Sequence, residues 1–391
     1  MFILRALQKK LTRLKDQFPV LALLGPRQSG KTTLAKFLFE GYKYVNLEEL
    51  DARQFANEDP RGFLEAHSNG EGLILDEIQN APDLFSYLQV RVDQNPKAGF
   101  YVLTGSHNIL LNEQISQTLA GRITIQILLP LSIEELSEAK RLPPHSSQYL
   151  FKGSYPSLYS KKMEPNDWYK GYIHTYIERD VRLIRNITDL SLFQKFVKLC
   201  AGRIGQLLNL NSLSDDCGVA VNTIKAWIAI LEMSYVIFLL PPYHRNFSKR
   251  LIKSPKLYFY DAGLAAHLLG IESPEMLSQH YLRGGLFESM ILSDLMKHRY
   301  NEGKSSNLYF WRDKSGLEID CLIEQGEKFI PIEIKSAETI GSDFFSSLHR
   351  FCDVAQIPKS SGYLIYGGEE EQKRSSGHVV SWKQAASKFF F

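Results

Sequence analysis

The stretch Leu21–Leu34, LALLGPRQSGKTTL, decides how this chain is read. A short apolar run leads into Gly25-Pro26-Arg27-Gln28-Ser29-Gly30-Lys31-Thr32, and a helix-prone segment opens at Lys31. The spacing is G-x-x-x-x-G-K-[ST], the phosphate-binding P-loop. Phosphates need a concave ring of backbone N–H groups, and Gly25 and Gly30 let the chain curl tightly enough to form one. The helix beginning near Lys31 aims its N-terminal N–H groups and the positive end of its dipole at the anion. Lys31 is placed to reach the β- and γ-phosphates and the Thr32 hydroxyl to hold Mg²⁺. Gly25, Pro26, Arg27, Gln28, Ser29, Gly30, Lys31, Thr32 and Thr33 are therefore the expected ATP-binding run.

The flanking sequence supplies the rest of a parallel sheet. Leu4, Leu7, Leu11 and Leu14 recur at helical spacing, predicting an amphipathic helix over Met1–Gln17. Tyr42–Asn46 reads as a second strand. Gly72–Glu77, GLILDE, is an apolar strand ending in two carboxylates. Downstream of a P-loop, Asp76 is the expected Mg²⁺-side residue and Glu77 the general base that polarises the attacking water. Gly99–Thr104 is a further buried strand, followed by Gly105-Ser106-His107-Asn108. Ser106 and Asn108 are candidates to sense the γ-phosphate, with Thr104 behind them. Arg122 precedes the strand Ile123–Leu128 and is either an arginine finger acting on a neighbour's nucleotide or a surface arginine at a helix end. Strands alternating with helices, the P-loop after the first, predict an α/β domain with nucleotide at the carboxyl ends of a parallel sheet.

Composition narrows the class. With 391 residues the chain exceeds one ordinary core, and a net charge of +3 is too small to imply nucleic acid by itself. Cys200, Cys217, Cys321 and Cys352 lie far apart, without zinc or disulfide spacing, which fits a reducing cytoplasm. No apolar run is long enough for a membrane span, so a cytoplasmic location and no membrane partner are expected.

GPRQSGKTTL, LILDEIQ, VLTGS, TLAGR and LPLSIEEL together resemble a bacterial and archaeal family of AAA+-type ATPases, and the resemblance covers essentially the whole chain. It implies ATP hydrolysis coupled to movement, often in a ring, so a homo-oligomer is a candidate assembly. The substrate is not supplied by the resemblance.

Beyond residues 1–140, the ATPase domain, residues 141–279 read as a helical lid and winged-helix-like region. From Trp168 the spacing turns helical, with Ile173, Ile177, Val181 and Ile184 on one stripe, and a second apolar helix carries Phe193, Phe196, Val197 and Cys200. Ser212 and Asp215 read as a capping pair, Gly218 as a turn, and Ile224, Trp227, Ile228 and Leu231 as the buried face of a second helix before the strand Val236–Leu240. That order is a winged helix-turn-helix. If it reads DNA, Asn222, Thr223 and Lys225 enter the major groove, and Arg245, Lys249, Arg250, Lys253 and Lys256 hold phosphates. The opposing reading is a lid or protein contact.

Residues 280–391 read as helix, three strands, helix, strand, which resembles the restriction-endonuclease-like, or PD-(D/E)XK, core. Asp320 and Glu333-Ile334-Lys335 match its motif, with Glu288 on the preceding helix. A turn at Gly326–Glu327 sets Asp320 opposite Glu333 and Glu318 opposite Lys335. Asp320, Glu333 and Lys335 then share one face, and Ile319, Cys321, Ile323, Ile332 and Ile334 the other. Facing carboxylates suggest a cation, Mg²⁺ or Mn²⁺, held by Asp320, Glu333 and Glu288, with Lys335 orienting water; the alternative is a solvated face with a Glu318–Lys335 salt bridge. The favoured function is nucleotide-driven switching or remodelling coupled to nucleic-acid binding or cleavage, with DNA the candidate partner. The rival is a regulatory ATPase whose later regions bind only proteins.

Overall fold

The computed structural model describes residues 3–68, 70–106, 118–161, 163–175, 189–243 and 253–390. The strands β1 (Val20–Leu24), β2 (Lys43–Asn46), β3 (Leu73–Asp76), β4 (Tyr101–Gly105) and β5 (Ile123–Ile127) form a parallel sheet in the order β2-β3-β4-β1-β5. VLALL of β1 is continuously apolar because both of its faces are covered. Val20, Ala22 and Leu24 belong to a core with Phe63, Phe85 and Leu88. Leu21 and Leu23 join Leu7, Leu11, Leu34 and Ala35 on the other side. The first helix begins at Leu7, not Met1, and Leu4 is 60% exposed. The reason is Arg5, which is buried and anchored to Ser29, Leu129 and Glu135, fixing the chain before the first helical turn.

In the middle of the chain the helix Leu210–Cys217 is capped by Asn209, whose side chain accepts from the Ser212 N–H at 3.1 Å. The expected Ser212–Asp215 cap is therefore wrong by one turn: Asn209 is the earlier acceptor, and Ser212 lies inside the helix, bonded by Arg203. Gly218 makes the turn with φ +75°, and Val221–Met233 follows with Ile224, Trp227, Ile228 and Leu231 buried. Trp227 packs against Phe193 and Phe196 at 5.3 Å between ring centres. β6 (Ile237–Leu240) and β7 (Lys256–Phe259) pair antiparallel. Ile177, Val181, Ile184, Arg245, Lys249 and Arg250 lie outside the described residues.

The helix Arg283–Asn301 opens the last region, followed by β8 (Leu308–Arg312), β9 (Glu318–Gln325), β10 (Lys328–Lys335), the helix Ser346–Ala355 and β11 (Tyr363–Tyr366). The sequence pattern predicts this order. It leaves unassigned β12 (Gln372–Arg374), β13 (Gly377–Ser381) and the short helix Ala385–Phe389. The six strands run β12-β13-β11-β10-β9-β8. The β9–β10 register, from Lys328↔Gln325 to Ile332↔Cys321, is the one counted from the turn. One facing is corrected. β8 pairs Tyr309 with Leu322 but Trp311 with Ile319, so Asp320 and Cys321 together oppose Phe310. This bulge reverses the parity of β9, and Ile319 packs with Trp311 and Leu322 while Cys321 and Ile323 face the opposite core.

A single apolar core runs from Leu129 to Phe389, so the middle and C-terminal regions share their interior around the helix Arg283–Asn301. Inside it Asp261 accepts four hydrogen bonds, from Ser154 N (2.7 Å), Ser154 Oγ (2.7 Å), Tyr169 Oη (2.5 Å) and Leu264 N (2.8 Å). Asp261→Ala strands these buried donors and is expected to cost about 3 kcal/mol or more, since each orphaned buried group costs about 1–3 kcal/mol. Denaturant unfolding should show it, and Asp261→Asn should lose less because its amide oxygen still accepts.

Candidate functional site

The P-loop joins the carboxyl end of β1 to the helix Lys31–Leu38. A β-carbon on Gly25 would stand 2.2 Å from the Leu128 carbonyl oxygen, so only glycine lets the loop pass the end of β5. Gly30 has φ +97° and Gln28 φ +61°, both left-handed, which gives the loop its tight curl. Lys31 is buried, and its Nζ donates to the Gly25 and Pro26 carbonyls at 3.0 and 2.9 Å. Burial pushes its ammonium below the usual range, against the opposing pull of Glu77 and Asp76.

Asp76 ends β3 beside this loop. Thr32 Oγ1 donates to it at 2.8 Å, Tyr44 Oη at 2.8 Å, and the Thr104 hydroxyl through a short contact. The two residues expected at Mg²⁺ are thus together, and their hydroxyl and carboxylate oxygens fit that hard cation. Glu77 follows in a left-handed conformation, φ +55°, which turns its side chain away from the strand direction. Its carboxylate accepts from Ser106 Oγ at 2.8 Å and from Gln79 Nε2. Burial opposes its charge, but Lys31, Gln79, Ser106 and Arg27 outweigh that and hold the carboxyl below its ordinary range. Ser106 and Thr104 therefore contact the two acidic residues. Asn108 lies outside the described residues.

A cavity of about 1350 Å³ opens over the loop. Lys31, Thr32, Asp76 and Glu77 line one side, and Pro156, Met163, Trp168 and Tyr172 the other. That second wall, on the helices Pro156–Ser160 and Pro165–Tyr172 with Met163 between them, lies in the region read as a helical lid, but the sequence singles out none of its residues for the site. The visible signal is a proline at the first position of each helix, which marks the elements but not their destination. Local sequence does not mark Tyr44 or Arg5 for the site either, because their partners are distant in the chain. Arg122 sits elsewhere. It precedes β5 at the amino end of the sheet, opposite the P-loop, and forks onto Asp93 at 2.5 and 3.0 Å. It does not reach the nucleotide site of its own chain, and its guanidinium has the intramolecular partner of a surface arginine.

Near the carboxyl-terminal sheet, Asp320 Oδ2 accepts from Ile334 N at 2.8 Å, and Lys335 Nζ donates to Glu333 at 2.6 Å and lies 4.0 Å from Asp320. The Glu318–Lys335 salt bridge of the alternative reading does not form. The strands are no longer paired beyond Cys321, and Glu318 instead meets Lys256 and Arg312. Lys256 is itself buried, which removes it from the basic surface expected for phosphates. Among the described residues no group of three His, Cys, Asp or Glu side chains is disposed to hold a metal ion. Burial, then repulsion from Asp320, raises the carboxyl pKa of both Glu288 and Glu333. Glu333 Oε2 is buried without a hydrogen-bond partner among the described residues.

The parallel sheet, P-loop and paired acids define a nucleotide-binding P-loop ATPase fold of the AAA type. Residues 17–137 match the AAA domain family, 144–275 a domain of unknown function (DUF8612) and 283–385 another (DUF4143). The chain is 31% identical over 337 residues to "Uncharacterized protein Rv2008c" of Mycobacterium tuberculosis and equally to "Uncharacterized protein Mb2031c" of Mycobacterium bovis, covering 84% of this chain and 73% of each relative. It is 23% identical to "Uncharacterized protein MJ1544" of Methanocaldococcus jannaschii over 77% of this chain and 71% of that one. Among solved structures, the Walker-type ATPase PABY2304 of Pyrococcus abyssi aligns with a TM-score of 0.46 and 16% identity, over 67% of this chain and 94% of that one. The chain belongs to the family of the two mycobacterial proteins. No helix among the described residues is long and apolar enough to cross a membrane.

The raised Glu333 carboxyl has a measurable consequence. The folded state keeps a proton that the unfolded chain gives up near its ordinary pKa of 4.5. Stability is therefore greatest below that value and falls as pH rises through the raised folded pKa. Glu333→Gln is expected to leave the melting temperature near wild type at pH 5 and to flatten the decline toward pH 9. Parallel declines in the two proteins would contradict the assignment.

Proposed function

We propose that this chain hydrolyses ATP and uses the bound nucleotide to set the position of the helices that wall the cavity. The observation that carries this reading is the convergence of Lys31, Thr32, Asp76 and Glu77 on one cavity. In this reading Gly25–Thr33 wraps the phosphates, and Lys31 leaves its own loop carbonyls for the β- and γ-phosphate oxygens. Thr32 and Asp76 would hold Mg²⁺, whose chemistry is to neutralise charge on the phosphates. Ionised Glu77, oriented by Ser106 and Gln79, polarises the attacking water. Tyr44 and Thr104 fix the Asp76 carboxylate. Pro156, Met163 and Trp168 offer an apolar surface to the nucleotide base, so binding draws the middle region toward the P-loop.

Glu77→Gln is expected to retain ATP binding and to slow hydrolysis at least about 100-fold, the scale of a lost general base. Lys31→Ala is expected to lose most ATP affinity by calorimetry with an unchanged circular dichroism spectrum. Hydrolysis at the wild-type rate in Glu77→Gln would overturn the assignment of the base.

A second reading, coupling to DNA, is favoured by one feature: the helix, Gly218 turn and second helix leave Asn222 and Lys225 exposed beside a two-stranded sheet, with Lys253 exposed at its edge. Charge reversal at Lys225 and Lys253 is expected to weaken DNA binding and reduce its salt slope by about one unit per lost phosphate contact. Identical slopes would leave the regulatory ATPase that contacts only proteins.

A further inference from the structure

The acidic cluster around Asp320 is closed by a side chain from another region of the protein. Lys256, on β7, is buried to 3% exposure. Its ammonium makes a short contact with Glu318 and lies 3.9 Å from Glu288. Two residues further along the same face of β7, Tyr258 Oη donates to Glu288 at 2.8 Å. The contact then continues up the helix Arg283–Asn301. Ser289 Oγ bonds both the N–H and the carbonyl of Phe259, at 3.0 and 2.8 Å, and Ser293 Oγ donates to the Tyr260 carbonyl at 2.6 Å. β7 is thus clipped along that helix residue by residue, with Lys256 at its end over the carboxylates.

The other side of the cluster is equally engaged. Arg312 reaches Glu318 at 3.1 Å, and Lys335 pairs with Glu333 and Asp320. Four acidic side chains (Glu288, Glu318, Asp320 and Glu333) therefore meet three basic ones (Lys256, Arg312 and Lys335). A divalent cation among them would face two ammonium groups already in place. The β6–β7 sheet is also bonded to β8 by the backbone: Tyr243 N donates to the Phe310 carbonyl at 2.7 Å, and Phe310 N to the Pro241 carbonyl at 3.1 Å. Phe310 is the residue that opposes the bulge carrying Asp320, and its ring lies 5.6 Å from the Lys256 ammonium.

We propose that Lys256 is the resident cation of this carboxylate cluster, in place of a divalent metal, and that the cluster is a buried charge latch holding the β6–β7 sheet onto the carboxyl-terminal sheet. The physical basis is that a buried carboxylate group needs compensating charge, and removing one partner leaves the others uncompensated. The latch is independent of the ATPase reading, because it involves no residue of the P-loop cavity.

The test uses the full chain without nucleotide, melted with millimolar Mn²⁺ or with EDTA. The wild type is expected to melt at one temperature in both. Lys256→Met, which keeps the apolar stem, is expected to melt several degrees lower, Lys256→Arg close to wild type, and Lys256→Met combined with Glu288→Gln above Lys256→Met alone. A rise of the wild-type melting temperature with Mn²⁺ that Asp320→Asn abolishes would overturn the proposal and restore a metal site. So would a Lys256→Met protein as stable as wild type. If Lys256→Met yields no folded protein, the wild-type Mn²⁺ titration decides: a flat response sustains the latch, and an Asp320-dependent rise overturns it.

Discussion

A guanidinium cannot be buried without acceptors, and Arg5 finds all of its acceptors on distant parts of the chain. Its Nη1 donates to the Ser29 carbonyl at 2.7 Å, its Nη2 to the Leu129 carbonyl at 2.6 Å, and its Nε to Glu135 at 3.0 Å. Glu135 in turn completes a capping box with Ser132. The segment between Leu129 and Glu135 is thereby fixed to the P-loop from one side. It is held from the other by the helix Arg283–Asn301, where Asp294 accepts from Ile133 N at 2.8 Å and Lys297 donates to the Leu131 carbonyl at 3.1 Å. Leu131 also lines the cavity over the P-loop. The placement of the cavity walls rests on this doubly held segment.

The same helix joins the two ends of the molecule. Asp294 and Lys297 serve the segment beside the P-loop, and Glu288, about 9 Å nearer the helix start at 1.5 Å per residue, enters the acidic cluster. Burial raises the Asp294 carboxyl to about 6 and lowers the Lys297 ammonium, so neither charge is free of its surroundings. This 19-residue helix therefore carries polar anchors at both places, beside the P-loop and in the acidic cluster. The continuous core from Leu129 to Phe389 packs around the same helix at the density of protein interiors.

Much of this was legible in the sequence because it is local. The P-loop, the acids ending β3, the helix with Trp227 inside and the β9–β10 register all follow from spacing within a few residues, or from counting outward from a turn. The structure departs from the sequence pattern where a neighbour outside that pattern intervenes. Leu4 fits the helical stripe, yet Arg5 is drawn into the interior and the helix starts later. Ser212 looks like a cap, but Asn209 reaches the open N–H first. Ile319 belongs to the expected face until the bulge at Asp320–Cys321 reverses it.

The sequence by itself determined the phosphate-binding loop, the acidic pair behind it and the order of strands and helices, because glycine geometry, hydrophobic period and turn spacing act over short range. The tertiary structure alone decided which charges meet. Arg122 went to Asp93 at the far end of the sheet, Tyr44 to Asp76, and Lys256 from a position read as surface into the carboxylates of another region. Those pairings depend on which side chains are excluded from water together, a property of the packed chain that residue spacing does not encode.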